Sequence, residues 1–104
     1  MDLPYDCQFC LAFPIDLEED VIDILRSDPE LVSGFSIVPA EGFGAGAQLG
    51  TAMEQVRGRA RRRLAQVLMR SEQVPQLIEA LRERLRSREM AWWTVPVTGF
   101  GRFS

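Results

Sequence analysis

The 104-residue chain contains no histidine. That absence removes the commonest general base and the commonest zinc ligand, and it excludes Ser-His-Asp and Cys-His nucleophilic centres built within this chain. Long apolar runs are also missing. Nothing approaches the roughly 18 consecutive residues that a membrane-spanning helix requires, so no direct membrane insertion is expected. The opening residues, Met1-Asp-Leu-Pro-Tyr-Asp, lack the basic start and apolar stretch of a signal peptide, and the cytoplasm is the expected location. Tyrosine occurs once, at Tyr5, and cysteine twice, at Cys7 and Cys10. No Gly-Lys-Ser/Thr follows the glycine-rich stretch, which excludes a P-loop.

What is present is ordinary in amount and uneven in placement. The length suits a single domain over residues 1–104, with no room for a second core. Residues 1–56 carry eleven acids and one arginine, whereas residues 57–104 carry eleven arginines and four acids. Elements from both halves of a single fold interleave, so the signs mix on the surface. The overall net charge of −3 opposes attraction to a phosphate backbone, and no nucleic-acid partner is expected.

Tyr5 to Phe13 reads as a first strand stopped by Pro14. Asp16 is the predicted N-cap of a helix, with Glu19 three residues later in capping-box register. Leu17, Val21, Ile24 and Leu25 form its apolar stripe, and Ser27-Asp-Pro29 ends it. Val32 to Ala40 reads as a second strand, closed by Pro39 and a glycine-rich loop over about Glu41–Gln55. A third strand runs from near Val56 to Met69. A second helix is predicted over Ser71–Arg88, with Pro75 in its first turn and Val74, Leu77, Ile78, Leu81 and Leu85 facing the core. Met90 to Val97 is the last strand. The order βαββαβ predicts an α+β, ferredoxin-like fold: a four-stranded antiparallel sheet with two helices on one face. Because the strands are apolar on both faces, the uncovered face predicts a homo-oligomer.

The candidate site lies where the glycine loop meets the third strand. Gly42, Gly44, Gly46 and Gly50 allow a ligand close to the backbone, but a strand follows them, so they are no Rossmann fingerprint. Arg57, Arg59, Arg61 and Arg63 share one strand face and Arg62 takes the other. The first three are the candidate anion holders. Cys7 and Cys10 form a C-x-x-C, yet residues i and i+3 of a strand point to opposite faces, which favours two buried structural cysteines. Trp92 and Trp93 must also face opposite ways: one is expected beneath the helices and the other in an inter-subunit core, either being a candidate ligand platform. The tail Gly99-Phe-Gly-Arg-Phe103 offers Arg102 to an anion or to a neighbour's cleft. No paired carboxylates sit at an evident cleft, so no general acid/base case arises, and no catalytic activity is expected.

The segments Val32-Ser-Gly-Phe35, Pro39, Glu54-Gln-Val-Arg-Gly-Arg59, Arg61-Arg62, Trp93, Pro96-Val97 and Gly101-Arg-Phe103 occur in an order and spacing that resembles a small bacterial family of unknown function. That family is grouped with PII-like and CutA-like signalling proteins. The resemblance implies a PII-like trimer with its sheets turned inward and a mobile loop over residues 41–55. It also implies small effectors, often adenine nucleotides, in inter-subunit clefts near the loop base, and a transporter partner of the metal-efflux type. Two features depart from typical PII proteins: the loop has no tyrosine, and Ser87-Arg-Glu-Met stands where a Gly- and Lys-containing phosphate loop is usual. The leading expectation is therefore a cytoplasmic, non-catalytic regulator. It would bind a small anionic effector, a nucleotide being the candidate, through Gly42, Gly44, Gly46, Arg57, Arg59, Arg61 and Arg102. The alternative is a CutA-like metal-binding or metal-tolerance protein using Cys7, Cys10 and acidic side chains as ligands.

Overall fold

The computed structural model describes residues 3–42, 60–87 and 89–104. Four strands, β1 (Cys7–Pro14), β2 (Ser36–Gly42), β3 (Ala60–Met69) and β4 (Ala91–Pro96), form one antiparallel sheet in the order β2-β3-β1-β4. Helices α1 (Glu18–Arg26) and α2 (Val74–Arg84) connect them. This is the ferredoxin-like arrangement expected from the element order. Among the described residues no helix is long and apolar enough to cross a membrane.

The sheet has two unlike faces. Phe9, Leu11 and Phe13 of β1 and Ala65, Val67 and Met69 of β3 alternate toward the helices. They meet Val21, Ile24 and Leu25 of α1 and Leu77 and Leu81 of α2 in one buried core. The alternate positions face away from the helices. They include Val38 and Ala40 on β2, Leu64 and Leu68 on β3, Cys10 and Ala12 on β1, and Trp93 and Val95 on β4. Val38, Trp93 and Val95 are exposed there. Among the described strand residues Arg62 is the one charged side chain on this open face, and Arg102 of the C-terminal segment lies against the same face beside Gln66 and Leu68.

Several boundaries differ from the sequence expectation. Pro14 leads into a 3-10 turn, Ile15–Leu17, so α1 begins at Glu18 with Leu17 at the cap position. Asp16 makes no capping bond as a result. The first turn keeps Glu18, Glu19 and Asp20, where the helix dipole favours negative charge. Ser27 closes the helix by donating from its hydroxyl to the Ile24 carbonyl at 2.6 Å. Leu31 and Val32 are buried in a turn held by Asp28, whose carbonyl accepts from both backbone N–H groups, so β2 starts at Ser36. It also includes Glu41 and Gly42, two residues expected in the loop. The rest of the 43–55 loop, with Gly44 and Gly46, lies outside the described residues. Pro39 sits within β2, tolerated because β2 is an edge strand. Helix α2 follows a 3-10 turn at Ser71–Gln73 and stops at Arg84, short of the expected Arg88. Leu85 turns extended there and packs against the core.

Candidate site at the loop end of the sheet

Strand β3 enters the fold as Ala60-Arg-Arg-Arg63, and pairing with β2 fixes where each guanidinium goes. Gly42 lies opposite Ala60, Glu41 opposite Arg61, Ala40 opposite Arg62 and Pro39 opposite Arg63. Arg61 and Arg63 share the helix-side face and Arg62 the open face, as strand alternation requires. Arg63 Nε donates to Glu18 Oε2 at 2.6 Å, tying the loop end of β3 to the first turn of α1. Arg61 is exposed, with the oppositely charged Glu41 as its cross-strand neighbour. Gly42 closes the β2 side of the loop base. Arg57 and Arg59 lie outside the described residues.

Arg62 has the most demanding environment. Its residue is only 8% exposed, and its register neighbours, Pro14 and Ala40, offer no side-chain acceptor. Nη2 donates to the carbonyl of Glu89 in the turn between α2 and β4. That turn is itself tight: the Glu89 N–H donates to Ser87 Oγ at 3.1 Å and the Met90 N–H to the Ser87 carbonyl at 3.2 Å. Nη1 of Arg62 is buried with no hydrogen-bond partner. A buried donor left unpaired costs about 1–3 kcal/mol, and more when it carries charge, so an acceptor oxygen at Nη1 would be strongly favoured. Arg62 was not among the sequence-stated anion holders. The signal was available in strand alternation, which sets one arginine on a face otherwise made of apolar and uncharged residues.

Arg102 lies at the opposite end of the sheet. Its guanidinium carbon is 5.7 Å from the Phe100 ring centroid, and Phe100 meets Tyr5 edge-on at 4.9 Å. Tyr5 in turn shares a 3.0 Å hydrogen bond with Ser33. These residues border a shallow groove of about 260 Å³ beside Gln66 and Leu68. From Arg62 to Leu68 is six residues along β3, about 20 Å at the usual strand rise. A single chain therefore does not bring Arg102 together with Gly42 and Arg61.

A larger groove, about 740 Å³, opens on the helix side between α2 and β4. Leu81, Leu85, Met90 and Trp92 line it, with Arg82 and Arg86 at its margin. It touches the loop-end site only through the α2–β4 turn. Trp92 stacks near Phe9, with ring centroids 6.0 Å apart, yet remains 47% exposed. Neither tryptophan is buried beneath the helices, because the helical layer stops short of the edge strand β4. Cys7 and Cys10 point to opposite faces, both buried and both free. Burial pushes the Cys7 thiol above its usual range. Among the described residues no group of three or more cysteines, aspartates and glutamates is placed to hold a metal ion, and the paired-cysteine alternative gains no geometric support.

The family model for a protein of unknown function, DUF3240, matches residues 5–104. Comparison by sequence with curated proteins gives no match. Among solved structures, the chain is similar to a DUF3240 family protein of Shewanella baltica OS155. That likeness has 19% identity and a TM-score of 0.72, covering 98% of this chain and all of the other. It is also similar to CPII of Thiomonas intermedia K12, a nitrogen regulatory PII-like protein bound to ADP, AMP and bicarbonate. Identity there is 15% and the TM-score 0.66, over 93% of this chain and 96% of that one. A second CPII structure, bound to ADP, AMP and acetate, matches at 16% identity and a TM-score of 0.65, over 98% and 94% of the two chains.

Proposed function

The chain belongs to the DUF3240 family of proteins of unknown function, and from its PII-like fold and half-satisfied buried arginine we propose that it is a non-catalytic regulatory protein binding a small anionic effector. The observation that carries this reading is Arg62: a cation at the base of the 43–59 segment, buried, with one nitrogen spent on the α2–β4 turn and one left for a ligand oxygen. Arg61 and the backbone at Gly42 stand at the same end. CPII, whose fold is similar, binds ADP, AMP and bicarbonate, which supports an adenine nucleotide or a small planar anion as the effector class. Glu18, at the same end of the sheet but on its helix face, is engaged by Arg63, and the chain has no histidine to move protons. The site therefore suits binding rather than turnover.

The open sheet face supports self-assembly, with a trimer as the proposed state. A largely apolar face of this extent is best covered by another like it, and a cyclic arrangement closes the assembly. Effector binding at the loop base would change the conformation presented by the segment after Gly42, and a transporter is the proposed recipient of that signal. Isothermal titration with ADP, AMP, bicarbonate and inorganic phosphate tests the reading. At least one of these should bind the wild type, and Arg62→Ala should weaken it about tenfold or more, the scale of a lost charged hydrogen bond. Absence of binding by all four would overturn it.

A further inference from the structure

Strand β4 ends the sheet with one edge unpaired. Free edges are usually guarded by charged side chains, yet Ala91-Trp-Trp-Thr-Val-Pro96 has none and all six residues are exposed. The Val97 N–H donates to the Asp6 carbonyl at 3.0 Å, so Val97 turns its polar groups toward β1. The alternation of an antiparallel ladder does the same for Val95, Trp93 and Ala91. Trp92 and Thr94 therefore hold their N–H and C=O groups outward. Their side chains lie on the helix face, because they stand opposite Leu11 and Phe9 of the core. Beside Thr94 that face has a hollow of about 490 Å³, bordered by Val74, Pro75 and Ile78.

We propose that two copies join through β4 about a two-fold axis at Trp93, making one continuous antiparallel sheet. Opposed residues must share a face, and hydrogen-bonded pairs must both turn their polar groups to the junction. Pairing Trp92 with the second copy's Thr94 matches every N–H and C=O that either residue holds out. Pairing Thr94 with itself sets Trp92 against Pro96, which has no N–H. Pairing Trp92 with itself sets Thr94 against Met90, whose N–H is held by the Ser87 carbonyl. The favoured register also carries each Trp92 to the hollow beside the other copy's Thr94, a large side chain against a small one. Glu79 and Arg82 at the border of the hollow lie 3.7 Å apart within each copy, so they bring no net charge to the junction. Any strand can meet the edge groups; the side chain that fits the hollow is one this chain supplies. The contact is separate from the effector reading and does not rest on it.

Sedimentation equilibrium of the wild type, Thr94→Pro and Val38→Asp tests this, with circular dichroism to check folding. Thr94→Pro removes an outward N–H and no bond to β1, and should weaken the pairing at least about tenfold. Val38→Asp, on the open face of the far edge strand, should leave it within about twofold. Cysteine pairs locate the axis in a Cys7→Ser/Cys10→Ser background. Trp93→Cys should form an intermolecular disulfide on oxidation, since a central non-hydrogen-bonded pair has Cα atoms about 4.5 Å apart, within disulfide reach. Val95→Cys should not, lying roughly 14 Å from its counterpart by the strand rise. Association lost in Val38→Asp and kept in Thr94→Pro assigns it to the open face and overturns this inference, leaving the effector reading untouched. A wild type that stays monomeric also overturns it and leaves β4 to a foreign strand. Crosslinking of Val95→Cys in place of Trp93→Cys overturns it through the register. If Thr94→Pro unfolds, the cysteine variants decide.

Discussion

The two faces of the sheet are built from the same four strands and do different work. On the helix side, Phe9 and Phe13 are fully buried against α1 and α2, and the charges, such as the Arg63–Glu18 pair, are kept to the rim. On the other side, residues of similar character lie open, and one arginine is buried among them. The comparison teaches that apolar content alone does not locate a protein's core. What distinguishes the faces is whether the chain itself supplies a cover. The helix face holds the fold together, whereas Val38, Trp93 and Val95 of the open face are left exposed by the chain.

The largest test of that division is Phe9→Ala. Truncating a fully buried phenylalanine should cost about 3–5 kcal/mol, read from urea unfolding. Trp93→Asp, on the open face at 43% exposure, should change the stability of the isolated chain by no more than about 1 kcal/mol. It should raise the dissociation constant for self-association at least about tenfold, or about 1.4 kcal/mol, by analytical ultracentrifugation. Equal unfolding penalties for the two variants, with assembly intact, would erase the distinction between the faces.

Smaller effects sharpen it. Arg63→Gln removes the ion pair with Glu18, whose side chains are 26% and 33% exposed. The loss should be about 0.2–1 kcal/mol and should shrink in high salt. The smallest expected effect is at Asp6, at the far end. Its carboxylate accepts from the Ser71 backbone N–H at 2.6 Å and from the Ser71 hydroxyl at 2.8 Å. Those two bonds, the backbone one first, hold its carboxyl below the usual range. A carboxyl with a depressed folded pKa stabilises the fold above its ordinary pKa, and that contribution is lost as pH falls through the folded value. Asp6→Asn should therefore flatten the acid limb of the stability curve below about pH 4 and leave its shape near neutrality unchanged. An acid limb identical to wild type would remove Asp6 from the account.

Much of the fold was legible because its punctuation is strong. Pro14, Ser27-Asp-Pro29 and the glycine run mark element ends, and the stripe Val21, Ile24 and Leu25 is buried as its spacing requires. The sequence also set Cys7 and Cys10 on opposite faces. Helix ends were less legible, since Asp16 has the right chemistry for a cap but a 3-10 turn occupies the place where it would act. Adjacent tryptophans reveal opposite faces and not how far a helix layer extends, which is why Trp92 proves half open. The placement of the candidate residues was legible only where strand alternation governs it. Gly42 and Arg61 lie at the paired ends of β2 and β3, whereas the burial of Arg62 arises from its register against Pro14 and Ala40 and from the reach of the α2–β4 turn. Those are pairings between distant segments, which a local pattern does not encode.

Pro39 gives the sheet a direction. Proline has no N–H to offer a further strand, so the outer edge of β2 cannot template an unbroken ladder. The opposite edge, β4, runs through six residues without a charge, the kind of border that invites lateral addition. A ribbon of copies joined head to tail would need both edges at every junction, and each such junction is interrupted at Pro39. Lateral addition along the β2 edge is thus disfavoured at Pro39, while the β4 edge has no such interruption before Pro96.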